Sequence, residues 1–174
     1  MRAPWPSQAP GAATTRTCPL TSTLTSLTRF FTTTRGRQPC ECFVDTGAFF
    51  ALIASDDVHH ARATALFEQA GSEAWDLVTT NVVVAETHAL LVSRLRGDRR
   101  HALGFLQFLD EDGYEVVTVT AGDHAAAVAL LRSHTDKTYS LCDALSFVVM
   151  DRLGVSRAIA FDRHFRQYGH FNVL

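Results

Sequence analysis

From residue 42 to the C-terminus, short runs of β-branched and apolar residues alternate with longer stretches in which apolar side chains recur every three or four positions. The first pattern marks strands buried on both faces, the second helices lying against them. ECFV (41–44), DLVTT (76–80), YEVVTV (114–119) and SRAIAF (156–161) read as four strands, and FNVL (171–174) as a short edge. Helices are predicted over Thr46–Ala54, Ala61–Ala70, Val82–Leu95, Arg99–Glu111, Ala121–Ser133 and Leu141–Leu153. Gly71, Gly97, Gly113 and Gly154 each follow a helical run, where cap glycines belong. This alternation predicts an α/β fold: a three-layer α/β/α sandwich around a central parallel sheet of four to five strands.

Residues 1–40 do not share the pattern. They are rich in Thr, Ser, Pro, Ala and Arg and carry no sustained hydrophobic period. They are expected to be a disordered or mis-assigned N-terminal extension ahead of one folded domain over 41–174. An organelle transit peptide has a similar composition, whereas a secretory signal needs a continuous apolar centre that is missing.

Charge sharpens the division. Residues 1–40 hold five arginines and no acid, which leaves 11 basic against 18 acidic residues in the remainder. A body so acidic has no broad basic face for a duplex, so a polyanionic substrate would have to be met by cations or local arginines. Four cysteines without framework spacing point to a reducing, cytoplasmic setting, and Cys40-x-Cys42 lacks the second Cys/His pair of a zinc site. No apolar run approaches the roughly 20 residues of a membrane span.

Four acids stand where strands end or helices begin. Asp45 closes the first strand and Asp162 the fourth, so both belong at one edge of the sheet, the edge at which open α/β sheets bind ligands. Glu86 falls early in the helix after the second strand, in register with Val82 and Leu90. Asp143 lies in the first turn of the last long helix, in register with Phe147 and Met150. Each acid therefore interrupts an apolar face. Each also has an innocent reading: Asp45 caps a helix, Glu86 pairs with Arg94, SLCD (140–143) forms a capping box, and Asp162 starts a turn with Arg163. Together these readings weaken, because four carboxylates in one crevice repel one another unless a cation neutralises them. Hard oxygen donors with no cysteine select Mg²⁺ or Mn²⁺, and such a site suits phosphodiester hydrolysis by metal-activated water.

FVDTGAFFALI, VVVAETHALL, YSLCDALSFVVMDRLG and AFDRHFRQYG, in this order and spacing, resemble the motifs of PIN-domain ribonucleases, and most of all the VapC-type toxins of toxin-antitoxin pairs. The resemblance runs from about Cys42 to Leu174. It implies a PIN-like nuclease domain with Mg²⁺- or Mn²⁺-dependent endoribonuclease activity, a homodimer and a cognate antitoxin protein. By the same resemblance, Asp45 and Asp143 would be the principal metal ligands, Glu86 would assist, and Asp162 would complete the acidic site. Thr46 and Ser140 match hydroxyl positions that orient a ligand or water, although helix capping explains both. Arg163, His164 and Arg166 match positions that could hold RNA phosphates, although ion pairs within the protein account for them equally well.

His59 and His60 are expected to start a surface helix and not to bind metal, since neighbours at i and i+1 do not face the same way. Two other functions fit parts of the pattern. A haloacid-dehalogenase-type phosphatase also begins with a strand ending in Asp, but needs a second Asp where Gly47 stands. A catalytically silent PIN-fold RNA-binding or interaction module would keep the fold without the chemistry.

Overall fold

The computed structural model describes residues 40–95, 99–111 and 114–174. The N-terminal extension up to residue 39 and the expected caps Gly97 and Gly113 lie outside the described residues. Five strands form one parallel sheet: β1 (Glu41–Val44), β2 (Asp76–Thr80), β3 (Glu115–Val117), β4 (Arg157–Ile159) and β5 (Asn172–Val173), in the order β3-β2-β1-β4-β5. The helices are α1 (Thr46–Ile53), α2 (His60–Glu73), α3 (Asn81–Arg94), α4 (Arg99–Glu111), α5 (Ala121–Ser133), α6 (Leu141–Leu153) and α7 (Arg163–Tyr168). This is the predicted α/β/α sandwich.

The strand order explains where a site can form. β1 is central, with Phe43 in register with Val78 of β2 on one side and with Ala158 of β4 on the other. The chain leaves β1 towards β2 and returns to β4 on the opposite side, so the topological switch lies between β1 and β4. Crevices that take ligands open at the carboxyl ends of such strands. The backbone there is pinned: the Asp45 amide donates to the Ile159 carbonyl at 3.1 Å, and the Thr79 hydroxyl to the Val44 carbonyl at 2.9 Å.

Aromatic packing holds the helices on this sheet. Phe49 of α1 is fully buried and meets Phe67 of α2, Phe105 of α4 and Tyr114 before β3, with ring centroids 6.0, 5.1 and 5.9 Å away. Emptying such a site costs about 3–5 kcal/mol. On the last long helix Phe147 stacks on Tyr168 of α7 at 4.3 Å and meets Phe165 edge-on at 4.9 Å. These contacts fix α7, and with it the segment carrying Asp162, against α6.

Several boundaries differ from the sequence expectation for identifiable reasons. Gly71 does not cap: it is buried inside α2, which runs on to Glu73 and ends at Ala74 with φ 52°. Burial of Trp75, whose amide donates to the Ala70 carbonyl at 2.9 Å, sets that turn. Gly154 does cap α6 at φ 75°. The third strand is shorter than 114–119, because the Val119 amide turns away to the Asn81 side chain at 2.9 Å. The helix α7 was not foreseen.

Candidate active site

Three of the four acids begin as helix caps. Asp45 is the N-cap of α1, its Oδ2 accepting the Gly47 amide at 3.1 Å. Asp162 N-caps α7, its Oδ1 accepting the His164 amide at 2.7 Å. Asp143 and Ser140 form both halves of a capping box at the start of α6: Asp143 Oδ2 accepts the Ser140 amide at 2.7 Å, and Ser140 Oγ accepts the Asp143 amide at 3.0 Å. The capping readings of Asp45 and Asp143 are therefore correct as local structure, while Asp162 caps a helix where a turn with Arg163 was expected. Capping does not exclude a site, because Asp143 also acts on Asp45, and His164 lies between Asp143 and Asp162.

Glu86 has a different setting. It is exposed on α3, and its Oε2 accepts the Thr46 hydroxyl at 2.6 Å, which ties the first turn of α1 to α3. The expected partner Arg94 is replaced by Thr46 and by the thiol of Cys142, which shares a hydrogen bond with Glu86. Burial, and then that carboxylate, push the Cys142 thiol well above its ordinary range, so it stays a neutral donor. Cys142 is the site neighbour that sequence reasoning passed over. Its only signal was its position directly before Asp143.

The electrostatics gather Asp45, Asp143 and Glu86 into one group. Asp45 is only 6% exposed, and its carboxyl is pushed up to about 7. Burial is the main cause; the Asp143 and Glu86 carboxylates push the same way, while the Gly47 and Thr46 amides oppose them. Asp162 joins through His164. The imidazole Nδ1 lies 3.0 Å from Asp143 Oδ2 and 3.3 Å from Asp162 Oδ1, and Nε2 lies 3.2 Å from the Thr138 hydroxyl. Both nitrogens of His164 are thus engaged within the protein, so the ring links two of the acids. Arg163 reaches the Thr138 hydroxyl at 3.5 Å, and Arg163 and Arg166 are both exposed on α7.

The donor set fits a hard divalent cation: carboxylates and hydroxyls, with a buried Asp whose charged neighbours in effect are other carboxylates. Among the described residues, no three His, Cys, Asp or Glu side chains are drawn together tightly enough to enclose an ion. Thr46 and Cys142 hold Glu86, and Ser140 and His164 hold Asp143, so the carboxylates are held from separate anchors.

Acids grouped at the switch point of a parallel five-stranded sheet define an α/β domain with a candidate ligand site, and the comparisons give it a family. The family model for the PIN domain matches residues 42–170, and the chain belongs to the PIN-domain family. It is 34% identical over 131 residues to the 23S rRNA-specific endonuclease VapC20 of Mycobacterium tuberculosis, covering 75% of this chain and 96% of that protein. A VapC ribonuclease of Archaeoglobus fulgidus is 30% identical over 126 residues, covering 70% and 77% respectively. The crystal structure of M. tuberculosis VapC20, described as a sarcin-ricin loop cleaving toxin, superposes with a TM-score of 0.67 at 32% identity, covering 76% of this chain and 98% of that one. Membership sets aside the dehalogenase-type phosphatase. No described helix is long and apolar enough to cross a membrane.

Proposed function

We propose that this protein is a Mg²⁺- or Mn²⁺-dependent endoribonuclease acting as the toxin of a toxin-antitoxin pair. The observation that carries the reading is Asp45: a carboxyl only 6% exposed, with the Asp143 and Glu86 carboxylates near enough to disfavour its charge. An arrangement of that kind costs stability and is characteristic of functional sites.

Asp45 and Asp143 are the residues that would hold the cation, with Glu86 and Asp162 assisting. When bound, the ion supplies charge neutralisation at the phosphate and a more acidic water. The chain's own contribution is orientation. Thr46 fixes the Glu86 carboxylate through its hydroxyl, Ser140 fixes Asp143 through its amide, and His164 keeps Asp143 and Asp162 in one frame. Burial and the neighbouring carboxylates make Asp45 costly to ionise while the cation is absent, and a bound cation would offset that cost. Arg163 and Arg166 are the exposed cations beside Asp162 that would meet phosphate oxygens.

The likeness to 23S rRNA-specific VapC20 makes a ribosomal RNA loop the first substrate to try. The same likeness supports a cytoplasmic toxin with a cognate antitoxin, and a homodimer is the assembly proposed with it. Purified protein is expected to cut total RNA with Mg²⁺ or Mn²⁺, to stop with EDTA, and to be inactive as Asp45→Asn. Cleavage that survives both EDTA and that substitution would overturn the reading.

A further inference from the structure

The acids do not account for how an RNA strand is gripped. The domain over residues 41–174 carries 11 basic and 18 acidic residues, so long-range attraction of a polyanion is unfavourable. Beyond the local contacts proposed for Arg163 and Arg166, binding gains from contacts that do not depend on charge.

One such feature stands just beyond the carboxyl end of β4. His59, at the N-terminus of α2, lies flat on Phe161, with centroids 4.7 Å apart and planes 9° from parallel. Phe161 directly precedes Asp162. Its amide nitrogen is 4.0 Å from where a Cβ on Gly47 would stand, and Asp45 Oδ2 is 3.5 Å from the same point. The Phe161 backbone therefore passes Gly47, which the Asp45 carboxylate also approaches, one residue before Asp162. Phe161 is half-buried, while His59 is exposed and makes no side-chain cap bond to its helix. His60 is otherwise occupied, its Nδ1 meeting the Ala51 carbonyl at 2.8 Å. Helix capping thus gives no reason for an aromatic ring at position 59, and its outer face is open.

We propose that His59, backed by Phe161, is a stacking platform for an unpaired RNA base flanking the scissile phosphate; this rests on the nuclease reading above. Stacking on an aromatic face tolerates any base, and a loop supplies bases that are already unstacked. The platform would select single-stranded or looped RNA by requiring a free base next to the cut, and the acids alone cannot impose that requirement.

The test uses the full chain and an RNA hairpin carrying the sarcin-ricin loop sequence, with abasic sites introduced one at a time through the loop. Cleavage is followed with Mn²⁺, and binding is measured in the non-cleaving Asp143→Asn background. Wild type is expected to lose roughly fivefold to tenfold in affinity when the base next to the cut is removed. His59→Ala is expected to bind intact RNA that much more weakly, to ignore the abasic site, and to keep the salt dependence of wild type. His59→Trp should restore both affinity and abasic sensitivity, which a purely structural role for the imidazole would not do. If RNA is cut but His59→Ala and wild type respond alike to every abasic site, the platform is refuted. If wild type cuts neither the hairpin nor total RNA, the nuclease reading falls first and the platform with it.

Discussion

Two capping boxes begin the two helices α5 and α6, and their difference separates scaffold from site. In the first, Thr120 Oγ accepts the Asp123 amide at 3.1 Å and Asp123 Oδ2 accepts the Thr120 amide at 2.9 Å. In the second, Ser140 and Asp143 repeat the pattern. Both acids are buried, at 4% and 8% exposure. Asp123, however, receives a two-pronged bond from Arg152 of α6, at 2.8 and 3.2 Å, and its carboxyl is held below the usual range, by the Thr120 amide first and by Arg152 as well. Asp143 has an imidazole in place of the guanidinium and lies close enough to Asp45 to raise that residue's pKa. The same local motif is electrostatically satisfied in one place and left with a negative excess in the other. On the proposed function, that excess is where a cation would bind.

Exchanging charge for amide should separate the two boxes most widely. Asp143→Asn is expected to lower RNA cleavage by more than about 100-fold, since even partners outside a metal's own ligands are worth about 10–100-fold. Its melting temperature should hold. Asp123→Asn should do the reverse, keeping cleavage near the wild-type rate while losing about 2 kcal/mol of stability, from the weakened cap and the lost ion pair. Parallel cleavage and melting assays decide it; equal losses of activity would dissolve the contrast.

The second effect is on pH, and the two regions have opposite signs. The folded-state pKa of Asp45 is raised from 3.8 to about 7, so the native protein binds more protons than the unfolded chain between those values. Metal-free stability should therefore fall as pH rises from about 4 to 7, by about 4 kcal/mol from this group. Asp45→Asn should flatten the slope and raise the melting temperature at pH 8. Mg²⁺ or Mn²⁺ should stabilise wild type but not the variant. Asp123 contributes stability that is present at neutral pH and is lost only as acidification takes its carboxyl through its lowered pKa. Urea titrations across pH, with and without EDTA, resolve both.

Smaller effects follow from the cations. Arg152→Ala should cost about 1–2 kcal/mol, because the guanidinium is partly exposed and Thr120 still serves Asp123. Arg163→Ala and Arg166→Ala should leave stability alone and reduce the salt slope of RNA binding by roughly one unit or less each. An unchanged slope for both would assign them to the protein's own surface.

Much of this was legible in the sequence, and the limits are physical. The strands, six helices and four acids follow from local periodicity, and the resemblance of the acidic motifs to a family gave their roles as expectations. The helix α7 escaped because six residues, Arg163–Tyr168, are too few to show a period; its place is fixed by rings on α6. The SLCD motif announced a capping box, but nothing in it distinguishes a box that meets Arg152 from one that meets other carboxylates. Thr46 with Glu86, Cys142 with Glu86 and His59 with Phe161 each join different elements, so only the folded chain brings them together. His59 is the instructive miss: it is weighed from sequence only as a metal ligand at the start of a helix, while its exposed ring lies against Phe161 just before Asp162.

The central place of β1 bears on the order of events in folding. The Asp45 amide is capped by Ile159, so its carboxylate keeps its water until the last third of the chain docks along β1. Dehydrating that group is then a late event, made after the rate-limiting barrier if β4 joins last. Alkaline conditions should in that case hasten escape from the native state while leaving the speed of refolding nearly untouched, and a divalent ion would act as a brake on opening.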